Sequence, residues 1–196
     1  MNLLFVNGCM RRSGESRTHR LADAFLTAYQ QSHPAHRLQT LSLRECAHLP
    51  ASAEQSLQRI GWMDHGDLSH PVFDLARTFA ASDQIVIAAP YWDLSFPALL
   101  KVYLEAVCVS GITFRYENDK AVGLCRAKSL VYLTTCGGYI GSCNFGFDYI
   151  KGLCRGLLGI RDVRFVAAEG LDIDQLDPQK QLQPALLEAQ KVAAEL

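Results

Sequence analysis

No apolar run in this 196-residue chain approaches the ~20 residues a membrane-spanning helix needs. Neither charge is in excess: 19 Lys and Arg stand against 20 Asp and Glu, a net charge of −1. That balance excludes an extended nucleic-acid footprint, which requires a basic face. The seven cysteines, at 9, 46, 108, 125, 136, 143 and 154, include no C-x-x-C and no metal-ligand spacing. No metal site is expected, and the thiols read as reduced and mostly buried. Three signatures are missing: the G-x-G-x-x-G dinucleotide turn, the G-x-x-x-x-G-K-[ST] phosphate loop and the G-x-S-x-G hydrolase elbow. The amino terminus shows no basic segment followed by a signal-type apolar run. The expected setting is therefore the cytoplasm, with neither membrane nor nucleic acid as partner.

What is present reads as one globular domain, residues 1–196, without repeats, linkers or low-complexity tracts. Leu3-Leu4-Phe5-Val6 is a short apolar run of the kind buried on both faces. Leu21, Ala24, Phe25, Ala28 and Tyr29 then mark one face of a helix from about Ser16 to before His33-Pro34. Residues 36–43 form a second strand. Residues 44–70 are the least legible, a long connection with one short helix around Ser56 to Trp62. Trp62 and His65 there are either wall residues of a site or core packing. Val72–Ala81 is a helix, 84–89 a third strand, and Ala98–Val109 a helix in which Lys101 reaches Glu105. Gly111–Tyr116, closed by 117–124, is a small hairpin extension. Lys128–Thr135 and Val163–Ala168 are strands, Phe147–Leu158 is a helix stopped by Gly159, and Leu182–Leu196 is the last helix. Five alternations of strand and helix predict a three-layer α/β fold, a doubly wound five-stranded parallel sheet in the order 2-1-3-4-5.

In that order the loops 8–18, 90–97 and 136–146 leave carboxyl ends of neighbouring strands and meet in one crevice. The turn region around the first is basic, with Arg11, Arg12, Arg17 and Arg20 against Glu15, which suits one small anion. A helix amino terminus presents unpaired N–H groups and a partial positive charge. Ser16 and Thr18 add hydroxyls that reach a phosphate seated there. Ser16 as an ordinary helix cap explains the same residue. The second loop, Pro90-Tyr91-Trp92-Asp93-Leu94-Ser95-Phe96-Pro97, is stiffened by two prolines and carries flat side chains. For such a pair core packing is the alternative. The third, Thr135-Cys136-Gly137-Gly138, lets main chain approach a flat ring, or is simply a turn. An anion site beside two flat-ring surfaces points to a flavin.

The chain resembles the FMN-dependent NAD(P)H oxidoreductases of flavodoxin-like fold, the quinone reductase and azoreductase group. The resemblance rests on Ser16-Arg17-Thr18 with Leu21, the block from Pro90 to Lys101, Gly111–Tyr116, Thr135–Gly138 and Phe165–Leu171. It implies an FMN phosphate on Ser16, Arg17 and Thr18, with Met10 where azoreductases often have serine. It places the ring along Pro90, Tyr91, Trp92, Asp93 and Leu94 and along Thr135, Cys136, Gly137 and Gly138. Asp93 stands where an asparagine is usual. The implied activity is ping-pong transfer of a hydride from NADH or NADPH through FMN to a quinone or similar flat acceptor, azo compounds included. The implied assembly is a homodimer with both sites at the interface, in contact through residues 97–116.

No catalytic residue is assigned, because the cofactor carries the chemistry and a stacking slot sets the distance. None of the six histidines falls in the three loops, His19 coming nearest. Cys136 reads as a buried thiol rather than a nucleophile. The rival reading is a non-enzymatic flavodoxin-type electron carrier or a flavin-dependent regulatory protein. Such carriers are strongly acidic, and this chain is nearly neutral.

Overall fold

The computed structural model describes residues 1–11, 14–46, 49–50 and 52–196. Arg12, counted in the basic turn, and Ser13 lie outside the described residues. The chain runs through β1 (Asn2–Asn7), α1 (Arg17–Ser32), β2 (Arg37–Ser42), α2 (Ala53–Asp64), α3 (Asp74–Ala81) and β3 (Gln84–Ala88). It continues with α4 (Ala98–Val107), the strands β4 (Phe114–Glu117) and β5 (Lys120–Gly123), and β6 (Ser129–Thr135). Then follow α5 (Phe145–Leu153), β7 (Asp162–Ala168) and α6 (Pro178–Ala194).

Five parallel strands form one sheet in the order β2-β1-β3-β6-β7, and β4 and β5 form a separate antiparallel hairpin. Counted without the hairpin, the order is the expected 2-1-3-4-5, with the extension after the helix that follows the third strand. Every residue of β3 and β6 is buried, because helices cover both faces of the sheet. Ile85 and Ile87 point to one side and pack with Leu100, Tyr103 and Leu104 of α4. Val86 and Ala88 point to the other, with Leu21 and Phe25 of α1 and Leu182 and Ala189 of α6. Each large apolar side chain fully buried in this way contributes about 1.5–3 kcal/mol. The register pairs Asn7 with Ala88 and Ala88 with Leu133, so β1 and β3 end level and β6 runs two residues further, to Thr135. Their loops emerge from one edge.

The differences from the sequence reading have local causes. The helix expected around Ser56–Trp62 runs the full Ala53–Asp64 yet buries none of its residues, so its periodicity is weak. Pro71 opens a separate 3₁₀ turn, which moves the start of α3 from Val72 to Asp74. Gly111 has φ +88 and Thr113 Oγ1 turns back to Val107 O at 2.7 Å, so the hairpin strand starts at Phe114. Asp177 caps Gln179 N at 2.9 Å and Pro178 occupies the first helical position, which starts α6 four residues before Leu182. Lys101 pairs with Glu105 as expected. All seven cysteines are unpaired, but only Cys9, Cys136 and Cys154 are buried; the other four are half-buried. No helix among the described residues is long and apolar enough to cross a membrane.

Candidate cofactor site

The three loops do meet. Met10, Arg11, Ser16, Arg17 and Thr18 from the first, Pro90, Tyr91 and Trp92 from the second, and Thr135 and Gly137 from the third line one crevice. It encloses about 170 Å³. Asp172, in the loop after β7, completes the wall.

The first loop is drawn in by Gly8 N–H, which donates to Ala88 O at 2.8 Å. Ser16 is extended and its Oγ accepts from His19 N at 3.3 Å. It is thus a helix cap that also faces the crevice. Accepting that bond leaves the hydroxyl its own hydrogen to donate. The N–H groups of Arg17 and Thr18, at the start of α1, have no acceptor inside the helix. Thr18 Oγ1 lies 2.5 Å from Thr135 Oγ1, both residues being buried. The Arg17 guanidinium donates to Leu171 O at 2.5 Å and to Asp172 Oδ1 at 2.7 Å.

In the second loop Tyr91 N–H donates to Thr135 O at 3.0 Å and its hydroxyl to Cys143 O at 2.8 Å. Burial raises the Tyr91 hydroxyl above its ordinary pKa, and Cys136, Cys143 and Glu169 nearby add to the shift. Trp92 and Ser95 exchange N–H···O bonds at 3.1 and 2.8 Å around Asp93 and Leu94. Those two residues have φ +50 and +65, the signs a type I′ turn demands. The turn lifts Asp93 and Leu94 to the tip, beside the crevice rather than in its wall, and leaves Trp92 45% and Leu94 49% exposed.

The third loop is stapled to the segment after β7. Gly170 N, Leu171 N and Asp172 N donate to Gly138 O, Cys136 O and Gly137 O at 2.7, 3.2 and 2.8 Å. A Cβ at Gly137 would sit 2.3 Å from Asp172 Oδ2, whereas one at Gly138 would meet nothing within 4 Å. Cys136 is buried behind them, its thiol pKa pushed up chiefly by that burial, and it does not line the crevice. Among the described residues no histidine lines it either.

Of the residues singled out in the sequence, Met10, Ser16, Arg17, Thr18, Pro90, Tyr91, Trp92, Thr135 and Gly137 come together in the wall. Asp93, Leu94, Cys136 and Gly138 flank it in the same loops. Trp62 and His65 do not reach it: Trp62 stacks on His70, ring centres 4.1 Å apart, on the outer surface. Asp172 was missed. It directly follows Glu169-Gly170-Leu171 beyond the end of a parallel strand, the position where site residues collect in this architecture.

Residues 1–193 match the Flavodoxin_2 family, described as Flavodoxin-like fold, and the chain belongs to that family. An FMN-dependent NADH:quinone oxidoreductase of Coprothermobacter proteolyticus is 35% identical over 198 residues, covering 97% of each chain. FMN-dependent NADH:quinone oxidoreductase 2 of Clostridium acetobutylicum is 34% identical, with 98% of each chain covered. Among solved structures, an FMN-dependent NADH-azoreductase from Bacillus anthracis, in complex with FMN, superposes with a TM-score of 0.87. That comparison covers 99% of this chain and 98% of the other at 20% identity, a likeness of fold.

Proposed function

We propose that this chain is an FMN-dependent oxidoreductase that takes electrons from NADH or NADPH and passes them to quinones and similar flat acceptors, azo compounds included. The observation that carries the reading is the meeting of Ser16, Trp92 and Gly137 in one crevice, in a chain whose relatives bear that name.

The donor set fits the cofactor. The first-turn N–H groups of α1 and the hydroxyls of Ser16 and Thr18 suit a phosphate, each bond to a charged group being worth about 1.5–3 kcal/mol. The loops Pro90–Leu94 and Thr135–Gly138 offer a flat slot, with Gly138 bare of any neighbour on its Cβ side. FMN, when bound, supplies the two-electron chemistry. The protein positions: Pro90 and the Asp93-Leu94 turn stiffen one wall, and the staples from Gly170, Leu171 and Asp172 hold the other. No side-chain acid or base is assigned, and the open slot receives nicotinamide and acceptor in turn.

A second copy completes the site in this reading. Ligand pockets usually enclose ~300–1,000 Å³, and the crevice of one chain has about 170 Å³. Its surroundings leave Trp92, Leu94, Tyr139 and Phe145 exposed, and Tyr116 on the hairpin is 67% exposed. A cytoplasmic homodimer in contact through α4 and the hairpin would cover such surfaces.

Titration of apoprotein with FMN, followed by steady-state NADH oxidation with a soluble quinone, tests the activity. Saturable FMN binding and quinone-dependent turnover are expected. A loaded protein that stays oxidised under excess NADH and NADPH would rule out the enzyme reading and leave the electron carrier or the flavin-dependent regulatory protein. Light scattering tests the assembly, with twice the 21.7 kDa chain mass expected.

A further inference from the structure

Arg17 stands at the phosphate turn, yet both of its terminal nitrogens are engaged by the loop after β7, at Leu171 O and Asp172 Oδ1. Asp172 is equally fixed. Its N–H donates to Gly137 O at 2.8 Å, and its Oδ2 fills the space that a Cβ on Gly137 would need. The carboxylate therefore lies against the Gly137 backbone, on the wall of the crevice. A positive and a negative charge sit side by side where an anionic cofactor must dock.

We propose that Arg17 and Asp172 form a charge clamp: Arg17 masks the Asp172 carboxylate and does not itself grip the phosphate. The phosphate is then held by the α1 N–H groups and the hydroxyls of Ser16 and Thr18, and Asp172 is a positioning residue. This rests on the FMN reading above. The consequence is specific to this pair. Loss of Arg17 harms binding because it unmasks a carboxylate that repels the phosphate. Loss of the carboxylate charge helps, because it frees a guanidinium beside the anion.

The test is a double-mutant cycle read by FMN affinity. Wild type, Arg17→Gln, Asp172→Asn and the double variant are prepared as apoprotein and titrated with FMN at low and high salt. The pair is partly open to water, the Arg17 and Asp172 side chains being 30% and 65% exposed. Effects are accordingly moderate, about three- to tenfold. Arg17→Gln weakens binding by that factor. Asp172→Asn tightens it and steepens its dependence on salt, since an unpaired cation now faces the phosphate. The double variant returns to within about twofold of wild type, because with both charges gone neither the unmasked carboxylate nor the freed guanidinium remains beside the phosphate.

A double variant that keeps the whole Arg17→Gln loss would mean that Arg17 binds the phosphate directly, and the clamp would be overturned. So would weaker binding in Asp172→Asn alone, the result a purely structural role predicts. The three backbone staples do not involve either side chain, so the loop has its anchors in every variant. A wild type that ignores FMN would overturn the cofactor reading together with the clamp; a wild type that binds, with an unrestored double variant, overturns the clamp alone.

Discussion

Thr18 Oγ1 and Thr135 Oγ1 lie 2.5 Å apart although 117 residues separate them, and the bond joins the first turn of α1 to the end of β6. The phosphate turn and the glycine loop are thereby one body. Thr18→Val keeps the shape, removes one hydroxyl, and leaves the Thr135 hydroxyl buried without its partner. The cost is about 1–3 kcal/mol. Urea unfolding of the apoprotein should show that loss, and FMN affinity should fall with it. Unchanged stability would mean that water replaces the missing partner.

Gly137 and Gly138 are adjacent but differ in what demands them. Gly137→Ala drives a Cβ into the Asp172 carboxylate, so Asp172 must leave Gly137. FMN affinity should fall about tenfold, since the wall of the slot changes with it. Gly138→Ala meets only open space in the protein. Its apoprotein should stay within about 0.5 kcal/mol of wild type, while FMN binding still weakens because the added methyl occupies the slot. Equal FMN affinity in Gly138→Ala would remove this loop from the ring site.

Leu94 holds φ +65 at an exposed turn, a conformation that costs a branched apolar residue about 1–3 kcal/mol. Leu94→Asn suits that backbone and forfeits little burial. It should raise the apoprotein's unfolding free energy by about 1 kcal/mol, read in the same urea assay. Slower quinone turnover alongside the gain would mark Leu94 as a contact kept for function at the expense of stability. A stability change of the opposite sign would show that the leucine side chain is covered in solution, as it would be in a dimer.

The sheet was legible because its strands are buried on both faces and say so in unbroken apolar runs, Leu3–Val6 and Ile85–Ala88 being the plainest. A common carboxyl edge followed from the parallel order, and with it the convergence of Ser16, Trp92 and Gly137. Asp172 escaped because it carries no motif: a lone acid after a strand looks like any surface residue. The use of Arg17 escaped for a related reason. Its partners lie 154 and 155 positions away, and no local spacing marks a charge as already paired. The α2 segment was obscure because none of its residues is fully buried, so the periodic signal a helix normally carries is weak.

One anchor of α2 is polar, and it can be tested. Arg59 sends one terminal nitrogen to three carbonyls at the end of α4: Glu105 O, Ala106 O and Cys108 O, at 3.0 to 3.1 Å. These carbonyls cluster at the carboxyl end of the helix, where a cation is favoured by the helix dipole. The guanidinium also lies 5.9 Å from the Phe73 ring centre. Arg59→Met keeps much of the packing of the stem and removes the donor. No residue of α2 is fully buried, and Met63, packed partly buried against the Phe73 cluster, is a small apolar anchor, so the helix should come loose before the sheet unfolds. Limited proteolysis should then cut within 53–64 faster than in wild type, and hydrogen exchange there should lose its protection. Global stability should fall by about 1.5–3 kcal/mol, the worth of a charged hydrogen bond. An α2 that stays as protected in Arg59→Met as in wild type would show that a surface outside the isolated chain, such as a second copy, covers this helix instead.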